Sequence, residues 1–435
     1  MKDNKLIKGS PMRGLAAATI GFFFGATAIS LFGPTAMHLK VAMGLTPFQV
    51  GLLVAIPTLS GSLLRIPFGA WVDSNGGRKP FIILMILAVI GLAGLSILLG
   101  TRFPDGMYGT YWLVLFLGCL SGCGIATFSV GTGQSSYWYA RKRQGFALGI
   151  FGGFGTMGAG ILAFVLPLLL KYAGFINAYY GLTFFMLIGL LIYIVLACNA
   201  PYFQLRQSGL DSKESQRQAE ACGQELFPAG NIRQSLSISA RVSETWILVL
   251  AYFVTFGGFL ALTAWLPTYW QQMYGMTAMQ AGVMTAIYAI LAAGLRVPGG
   301  QLSDHFGGLQ VSIFAIVLLA LVTLILSFVS NWIPALLCTI AISVAFGLNN
   351  AAIMKLVPAY VPQSVGGASG WVGGLGAFGG FVLPPLMGQV AARMGIVGYA
   401  RGFLIFTVMS VIVLVILYLG LLRRERKDKK VISTQ

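Results

Sequence analysis

Two arginines are the residues of this chain best suited to bind a charged ligand. Arg65 and Arg296 are the only charged residues deep inside long apolar runs, and neither run holds an Asp or Glu near them. A central arginine costs about 2.5–3.5 kcal/mol when such a run enters a bilayer, and its charge cannot be shed. The missing counter-charge predicts that a bound anion completes the site. The alternative is that both arginines are structural and donate to backbone carbonyls.

The guanidinium group indicates which kind of anion would fit. It presents planar N–H donors that match planar oxyanions. Each arginine is followed two residues later by a proline, Pro67 or Pro298, which frees a backbone carbonyl and can bend the helix. Two such arginines, one in each half of the chain, could clamp a small anion between the halves.

The apolar runs around the arginines predict a polytopic membrane protein. Only 9% of the residues are charged, against roughly 25% in soluble domains, and each run is long enough to cross a bilayer as a helix. We expect an all-α integral membrane fold with 12 transmembrane helices, helix 1 to helix 12. Their predicted spans are Gly14–Leu39, Pro47–Val72, Pro80–Gly100, Tyr111–Tyr137, Gly145–Leu170, Ala178–Tyr202, Glu244–Gln271, Ala278–Ser303, Leu309–Ser330, Trp332–Val357, Gly366–Arg393 and Tyr399–Leu422.

The distribution of basic residues predicts the orientation. The net charge of +17 is concentrated in every second loop and at both termini, which is the positive-inside pattern. It predicts a multi-pass protein of the inner (cytoplasmic) membrane with both termini in the cytoplasm, in contact with the lipid bilayer and not with nucleic acid. The clusters are Lys2 to Arg13, Arg78 with Lys79, Arg141 to Arg143, Arg206 to Arg241, and Arg423 to Lys430.

The chain divides into two similar halves. The polar stretch Gln204–Ser243 separates a predicted six-helix bundle at 1–203 from a second bundle with a basic tail at 244–435, with a cytoplasmic linker at 204–243. Arg65-x-Pro-x-Gly-x-x-x-Asp73 recurs at one offset as Arg296-x-Pro-x-Gly-x-x-x-Asp304. Two parallel six-helix pseudo-repeats place a substrate site between the halves.

Glycine runs occupy helices 5 and 11. Gly152 and Gly155 lie in the first run, Gly374 and Gly376 in the second, and both runs contain G-x-G-x-x-G. A dinucleotide site is excluded because no strand precedes them. Two compatible interpretations remain: close packing of helices, or approach of the backbone to the substrate.

Enzymatic chemistry is not indicated. His38 and His305 have no catalytic neighbour, and the spans contain no paired carboxylates or metal cluster. The five cysteines lie mostly in apolar runs, which does not suggest a disulfide framework. We expect neither metal nor cofactor.

The segment Gly69 to Lys79 resembles the loop signature of the major facilitator superfamily. The resemblance implies a cytoplasmic latch, or gate, between helices. Asp73 and Arg78 are its candidate residues, and Asp304 is the counterpart in the second half.

A narrower resemblance, to the nitrate/nitrite porter family, spans the whole chain. It is carried by 57–67 around Arg65, by 149–158 and 370–380 around the glycine runs, and by 252–257 on helix 7. It implies transport of nitrate and nitrite by alternating access, with an anion site lined by the two arginines, the four glycines and three aromatic residues, Tyr252, Phe256 and Phe128. The first glycine run departs from the family, since Phe151 and Thr156 stand where members often carry Asn.

The mode of coupling has two interpretations. No carboxylate or histidine lies deep within a span to carry protons, which favours nitrate/nitrite exchange, although proton-coupled nitrate uptake stays open. A carrier for another small anion, such as cyanate or an organic anion, or for a drug, is the other alternative. We expect a monomer.

Overall fold

The computed structural model describes residues 7–32, 34–45, 47–228 and 231–422, and it confirms the all-helical fold. Eleven helices in these residues are long and apolar enough to span a membrane. The twelfth predicted span is helix 2, which is divided into two shorter segments, Pro47–Leu63 and Arg65–Asn75. Lys2, Lys5 and the basic tail from Arg423 lie outside the described residues.

The other membrane helices follow the predicted order. In the first half they are helix 1 (Pro11–Ala26, then Thr27–Ser30), helix 3 (Arg78–Arg102), helix 4 (Tyr111–Gly122, Cys123–Ala126 and Thr127–Trp138), helix 5 (Gln144–Tyr172) and helix 6 (Phe175–Leu196). In the second half they are helix 7 (Ser243–Tyr252, Phe253–Gly257 and Gly258–Tyr274), helix 8 (Ala278–Gly294 and Arg296–Phe306), helix 9 (Gly308–Leu326), helix 10 (Trp332–Tyr360), helix 11 (Val365–Ala377 and Gly379–Met394) and helix 12 (Ile396–Arg401, Leu404–Leu417 and Tyr418–Leu422).

Helices 2 and 8 are interrupted at the same place. The turn falls at Leu64 in one and at Leu295 in the other, immediately before the arginine. The prolines two residues after the arginines have no N–H, so the carbonyl four residues before each of them loses its helical donor. Sequence reasoning predicted such a local bend, and the interruption places it at the candidate ligands.

The polar stretch between the halves forms three helices, Pro201–Gln207, Ser212–Ala221 and Ile232–Arg241. Helix 6 ends at Leu196, before the predicted Tyr202, because Pro201 begins the first of these helices. We call the end of the bundle that carries this stretch the linker end. The domain boundaries at 203 and 244 stay a prediction.

The halves meet backbone to backbone. Helix 11 crosses helix 2, where a Cβ added to Gly69 would lie 2.9 Å from the Cα of Gly370. Helix 5 crosses helix 8, where a Cβ added to Gly145 would lie 2.6 Å from the carbonyl oxygen of Gly300. Only glycine allows this approach, so the seam between the halves is set by glycines on both sides.

Candidate functional site

Arg65 begins the second segment of helix 2 and is fully buried. Its Nη1 donates to the carbonyl of Gly373 at 2.9 Å, and its Nη2 donates to the carbonyl of Ile125 at 3.2 Å. The guanidinium carbon lies 4.8 Å from the centre of the Phe128 ring. The third guanidinium nitrogen, Nε, has no hydrogen-bond partner in the described residues.

Arg296 occupies the equivalent place on helix 8 and is 2% exposed. Its Nη1 donates to the carbonyl of Gly152 and to the hydroxyl of Thr156, both at 3.1 Å. Nε and Nη2 have no partner among the described residues. Both arginines therefore bond backbone carbonyls, as the structural interpretation expected, but each does so with only part of its guanidinium group.

One aromatic ring links the two arginines. The guanidinium carbons of Arg65 and Arg296 lie 5.0 and 4.9 Å from the centre of the Phe256 ring. The two carbons are therefore no more than about 10 Å apart. Phe256 stacks on Tyr252 at 4.9 Å and on Phe128 at 5.4 Å. The three aromatic residues expected from the family resemblance thus lie together beside both arginines.

Helix 7 contributes Tyr252 and Phe256 around a widened turn. Phe253–Gly257 is a π-helical segment, and single π-turns within α-helices are frequent at functional sites. The Tyr252 hydroxyl is buried beside the Arg296 guanidinium group and makes no hydrogen bond of ordinary geometry in the described part of the chain. It adds a fourth unpaired donor group to Nε of Arg65 and to Nε and Nη2 of Arg296.

The positive charges of Arg65 and Arg296 and the unpaired donors around them determine what kind of ligand these residues can bind. Two positive groups meet in a desolvated space, and cation–π contacts worth about 0.5–2 kcal/mol each offset part of their cost. A buried donor without a partner costs a further 1–3 kcal/mol or so. An oxyanion would accept from the free donors and supply the missing negative charge. Since the guanidinium groups have almost no accessible surface, such an ion enters only when side chains or halves move.

The glycine runs lie across the arginines of the opposite half. A Cβ on Gly152 would lie 3.1 Å from Nη1 of Arg296, and one on Gly374 would lie 3.5 Å from Cβ of Arg65. Gly155 instead faces Phe22 of helix 1, and Gly376 faces Tyr252, whose ring a Cβ would meet at 2.7 Å. Two glycines thus border the arginines, and two leave room for aromatic rings near them.

Asp73 joins the halves at the linker end. Its carboxylate accepts from the backbone N–H groups of Gly366 at 2.9 Å and Gly367 at 3.2 Å, and from the hydroxyl of Tyr137 at 2.6 Å. These N–H groups belong to the first turn of helix 11, where they have no partner within the helix. Ser364 at the N-cap makes no side-chain cap, so a residue of the other half caps this helix.

Asp304 makes the equivalent contact from the second half. It accepts from the N–H groups of Gly145 at 3.1 Å and Phe146 at 2.8 Å, in the first turn of helix 5, and it pairs with Lys355. Arg78 bonds within the first half, with Nη2 donating to the carbonyl of Ile194 at 3.1 Å. The cross-half contacts of the predicted latch therefore come from the two aspartates.

Two residues that contact these sites were not found from the sequence, and a third was noted only as a departure from the family pattern. The third is Thr156, which contacts Arg296 and lies one helical turn from Gly152. The Phe259 ring centre lies 5.9 Å from the Arg296 guanidinium carbon, and Lys355 pairs with Asp304. Spacing of one turn from a candidate site residue could have indicated Phe259. Nothing local in the sequence indicates Lys355.

The contact between helix 11 and Arg65 can be tested by adding bulk. Gly374→Leu would place a Cβ 2.8 Å from Ile66 and 2.9 Å from the carbonyl of Ser62, so helix 11 must move away from helix 2. Overpacking of this kind costs about 1–3 kcal/mol, and we expect a melting temperature lower by several degrees. Gly388→Leu is the control on the same helix, because its Cβ meets only Trp265 at 3.8 Å. Equal melting temperatures in the two variants would show that the contact does not hold the helices together.

Comparison with known proteins places the chain in a family. The major facilitator superfamily model matches residues 18–332 and 275–435. A probable nitrate/nitrite antiporter, NarK1 of Thermus thermophilus, is 30% identical, with 88% of this chain and 86% of that protein covered. A probable nitrate transporter, NarT of Staphylococcus epidermidis, is 28% identical over 92% of this chain and 95% of its own length.

Solved structures agree with the fold. The human organic anion transporter MFSD10 superposes with a TM-score of 0.71 at 15% identity, with 94% of this chain and all of that chain covered. At this identity the likeness concerns the fold alone. The chain belongs to the major facilitator superfamily and, within it, to the nitrate/nitrite porter family.

Proposed function

We propose that this protein carries nitrate and nitrite across a membrane by alternating access between its two halves. The observation that carries the proposal is the set of unpaired donors on Arg65, Arg296 and Tyr252, buried at the seam beside two uncompensated positive charges. Relatives that share nearly the whole chain bear the names of nitrate and nitrite transporters. In this proposal the protein is a carrier and not an enzyme.

The shape of the site favours a flat, small ion. Phe128, Tyr252 and Phe256 are stacked within 23° of parallel. The Phe256 ring borders both guanidinium groups, and the Phe128 ring borders that of Arg65. A planar oxyanion can lie against such rings while its oxygens accept N–H groups in the same plane. Gly152 and Gly374 keep the opposing backbones close and leave little room for a larger ion. Cyanate is small enough to enter but is linear and carries one oxygen, whereas organic anions and drugs would require a wider seam.

The linker end is the cytoplasmic end in this proposal. Arg141 to Arg143 and the basic residues between 206 and 241 lie there, as the positive-inside rule requires, and the membrane is the inner (cytoplasmic) one. Asp73 and Asp304 then hold the cytoplasmic side closed by capping helices 11 and 5. Opening toward the cytoplasm breaks both contacts, while Arg78 stays with the first half. We expect the monomer to be the working unit.

The two buried charges also determine how transport is coupled. When the centre is empty, Arg65 and Arg296 repel each other, and closing the halves brings them together without water. An anion between them offsets the repulsion, so the loaded carrier changes state more readily than the empty one. The carrier therefore runs as an exchanger, in which nitrate enters as nitrite leaves. Proton-coupled uptake is the alternative, although no carboxylate of the described residues contacts the arginines.

Replacement of the arginines by lysine tests the anion site. Arg65→Lys and Arg296→Lys keep the charge but lose the planar set of donors. We expect each to weaken nitrate binding by about tenfold or more, since a hydrogen bond to a charged group is worth roughly 1.5–3 kcal/mol. Binding is measured by isothermal titration calorimetry on the purified carrier.

The matched control for these variants is Arg13→Lys. Arg13 is exposed and donates to the carbonyls of Leu196 at 3.0 Å and Val195 at 2.8 Å, far along the chain from the site. Its replacement should leave nitrate affinity unchanged. Nitrate affinity equal to that of the unchanged protein in folded Arg65→Lys and Arg296→Lys would remove both residues from the proposed site.

Exchange is tested in proteoliposomes loaded with nitrite, with chloride or with buffer alone, at equal pH on both sides. Internal nitrite should accelerate nitrate entry severalfold, because only the loaded carrier returns quickly. A proton gradient should change the rate little. The exchange mechanism is wrong if empty vesicles fill equally fast and an inward proton gradient drives accumulation. Equal stimulation by internal chloride would instead point to a less selective anion carrier.

A further inference from the structure

The last linker helix, Ile232–Arg241, lies directly on the latch formed by Asp73. The hydroxyl of Ser235 donates to Asp73 Oδ2 at 2.5 Å, beside the N–H groups of helix 11 that bind the same carboxylate. Ser235 is 1% exposed and Ser239 is fully buried. We propose that this helix is a moving part of the cytoplasmic gate, with Ser235 as its gating residue, and not merely a tether between the halves.

The linker helix is fixed to the second half by several bonds. The hydroxyl of Ser364 donates to the carbonyl of Ser235 at 2.7 Å, and the indole N–H of Trp371 donates to the carbonyl of Leu236 at 3.3 Å. A Cβ on Gly367 would lie 2.5 Å from the hydroxyl oxygen of Ser235, so the helix rests on the glycine face of helix 11. It follows this half when the halves separate.

The chain itself adds to this attachment. Helix 7 begins at Ser243, two residues after the linker helix ends. The hydroxyl of Thr245 donates to the carbonyl of Ser239 at 2.7 Å, and the indole N–H of Trp246 donates to the carbonyl of Ala240 at 2.8 Å. The linker helix and the start of helix 7 therefore form one unit of the second half.

The bond between Ser235 and Asp73 is thus a contact that must break when the linker end opens. Asp73 belongs to helix 2 and stays with Tyr137 of the first half, which donates to Oδ1. Separation of helix 2 from helix 11 removes the bonds from Gly366, Gly367 and Ser235 together. The linker helix consequently strengthens the closed state and covers a carboxylate that water would otherwise reach.

The experiment uses Ser235→Asp, which places a second carboxylate against Asp73 in a buried site where like charges repel. Ser235→Ala, which only removes the hydroxyl, is the milder variant. Ser237→Asp adds the same charge on an exposed face of the same helix and is the matched control. Opening is measured at pH 8 in purified protein whose five native cysteines are replaced by alanine.

The reporter in all variants is S369C, labelled with a water-soluble maleimide. Ser369 is fully buried on helix 11, between the arginines and the linker end, and its hydroxyl has no partner in the described residues, so the change breaks no bond. We expect labelling to become about tenfold faster with Ser235→Asp, in line with the loss of a bond to a charged group. Ser235→Ala should give a smaller increase, and Ser237→Asp should label at the unchanged rate.

The inference rests on the proposed function only in assuming that the linker end opens during transport. Labelling of position 369 needs no substrate, so its outcome is independent of which ion is carried. Unchanged labelling in both Ser235 variants, with Ser237→Asp as reference, would reduce the linker helix to a tether while leaving the anion site intact. Equal acceleration in Ser235→Asp and Ser237→Asp would assign the effect to added charge and would also overturn the proposal.

Discussion

The structure depends on the burial of two permanent positive charges at the seam between its halves. Arginine cannot lose its proton in a protein, so neither Arg65 nor Arg296 can escape the cost of desolvation by becoming neutral. Backbone carbonyls from Gly373, Ile125 and Gly152 satisfy part of each guanidinium. The Phe256 ring packs against both guanidinium groups, whose carbon atoms lie 5.0 and 4.9 Å from its centre. Some donors and both positive charges remain without a partner in the described residues, and the proposed anion would supply one.

This constraint explains why glycine dominates helices 5 and 11. The carbonyls that stabilise the arginines come partly from the opposite half, and they reach the guanidinium groups only if two helices approach without side chains between them. Gly152 and Gly374 provide that approach. The prolines after the arginines act in the same place, because the interrupted turns at Leu64 and Leu295 set the point from which each side chain extends. The proposed substrate site and the packing of the helices are therefore one arrangement.

The sequence predicted the parts of this arrangement that depend on local pattern. Helix number, the matched arginines, the bends at the prolines and the aromatic residues of helix 7 follow from hydropathy, repetition and family resemblance. The hydrogen bonds and ion pair that the two aspartates form could not be predicted from the sequence. The N–H groups that Asp73 and Asp304 cap lie far away in the sequence, and Lys355 lies near the end of an apolar run with nothing nearby in the sequence to mark it as a partner of Asp304. Ser235 was one serine in a polar stretch, and only its position against helix 11 distinguishes it from Ser237.

The contacts across the seam are reciprocal, because each half offers its glycine run to the arginine of the other and its aspartate to a helix start of the other. Such an arrangement is that of a twofold-symmetric dimer, in which the same surface is used twice. A chain formed by duplication and fusion of a six-helix unit would retain these contacts, but its connecting segment could cover only one of the two equivalent places. Here it covers Asp73, while Asp304 pairs with Lys355 instead. Fusion would thus have made two equivalent aspartate contacts chemically distinct. The Asp73 contact is joined by a hydroxyl group of the connecting segment, and the Asp304 contact is joined by an ion pair.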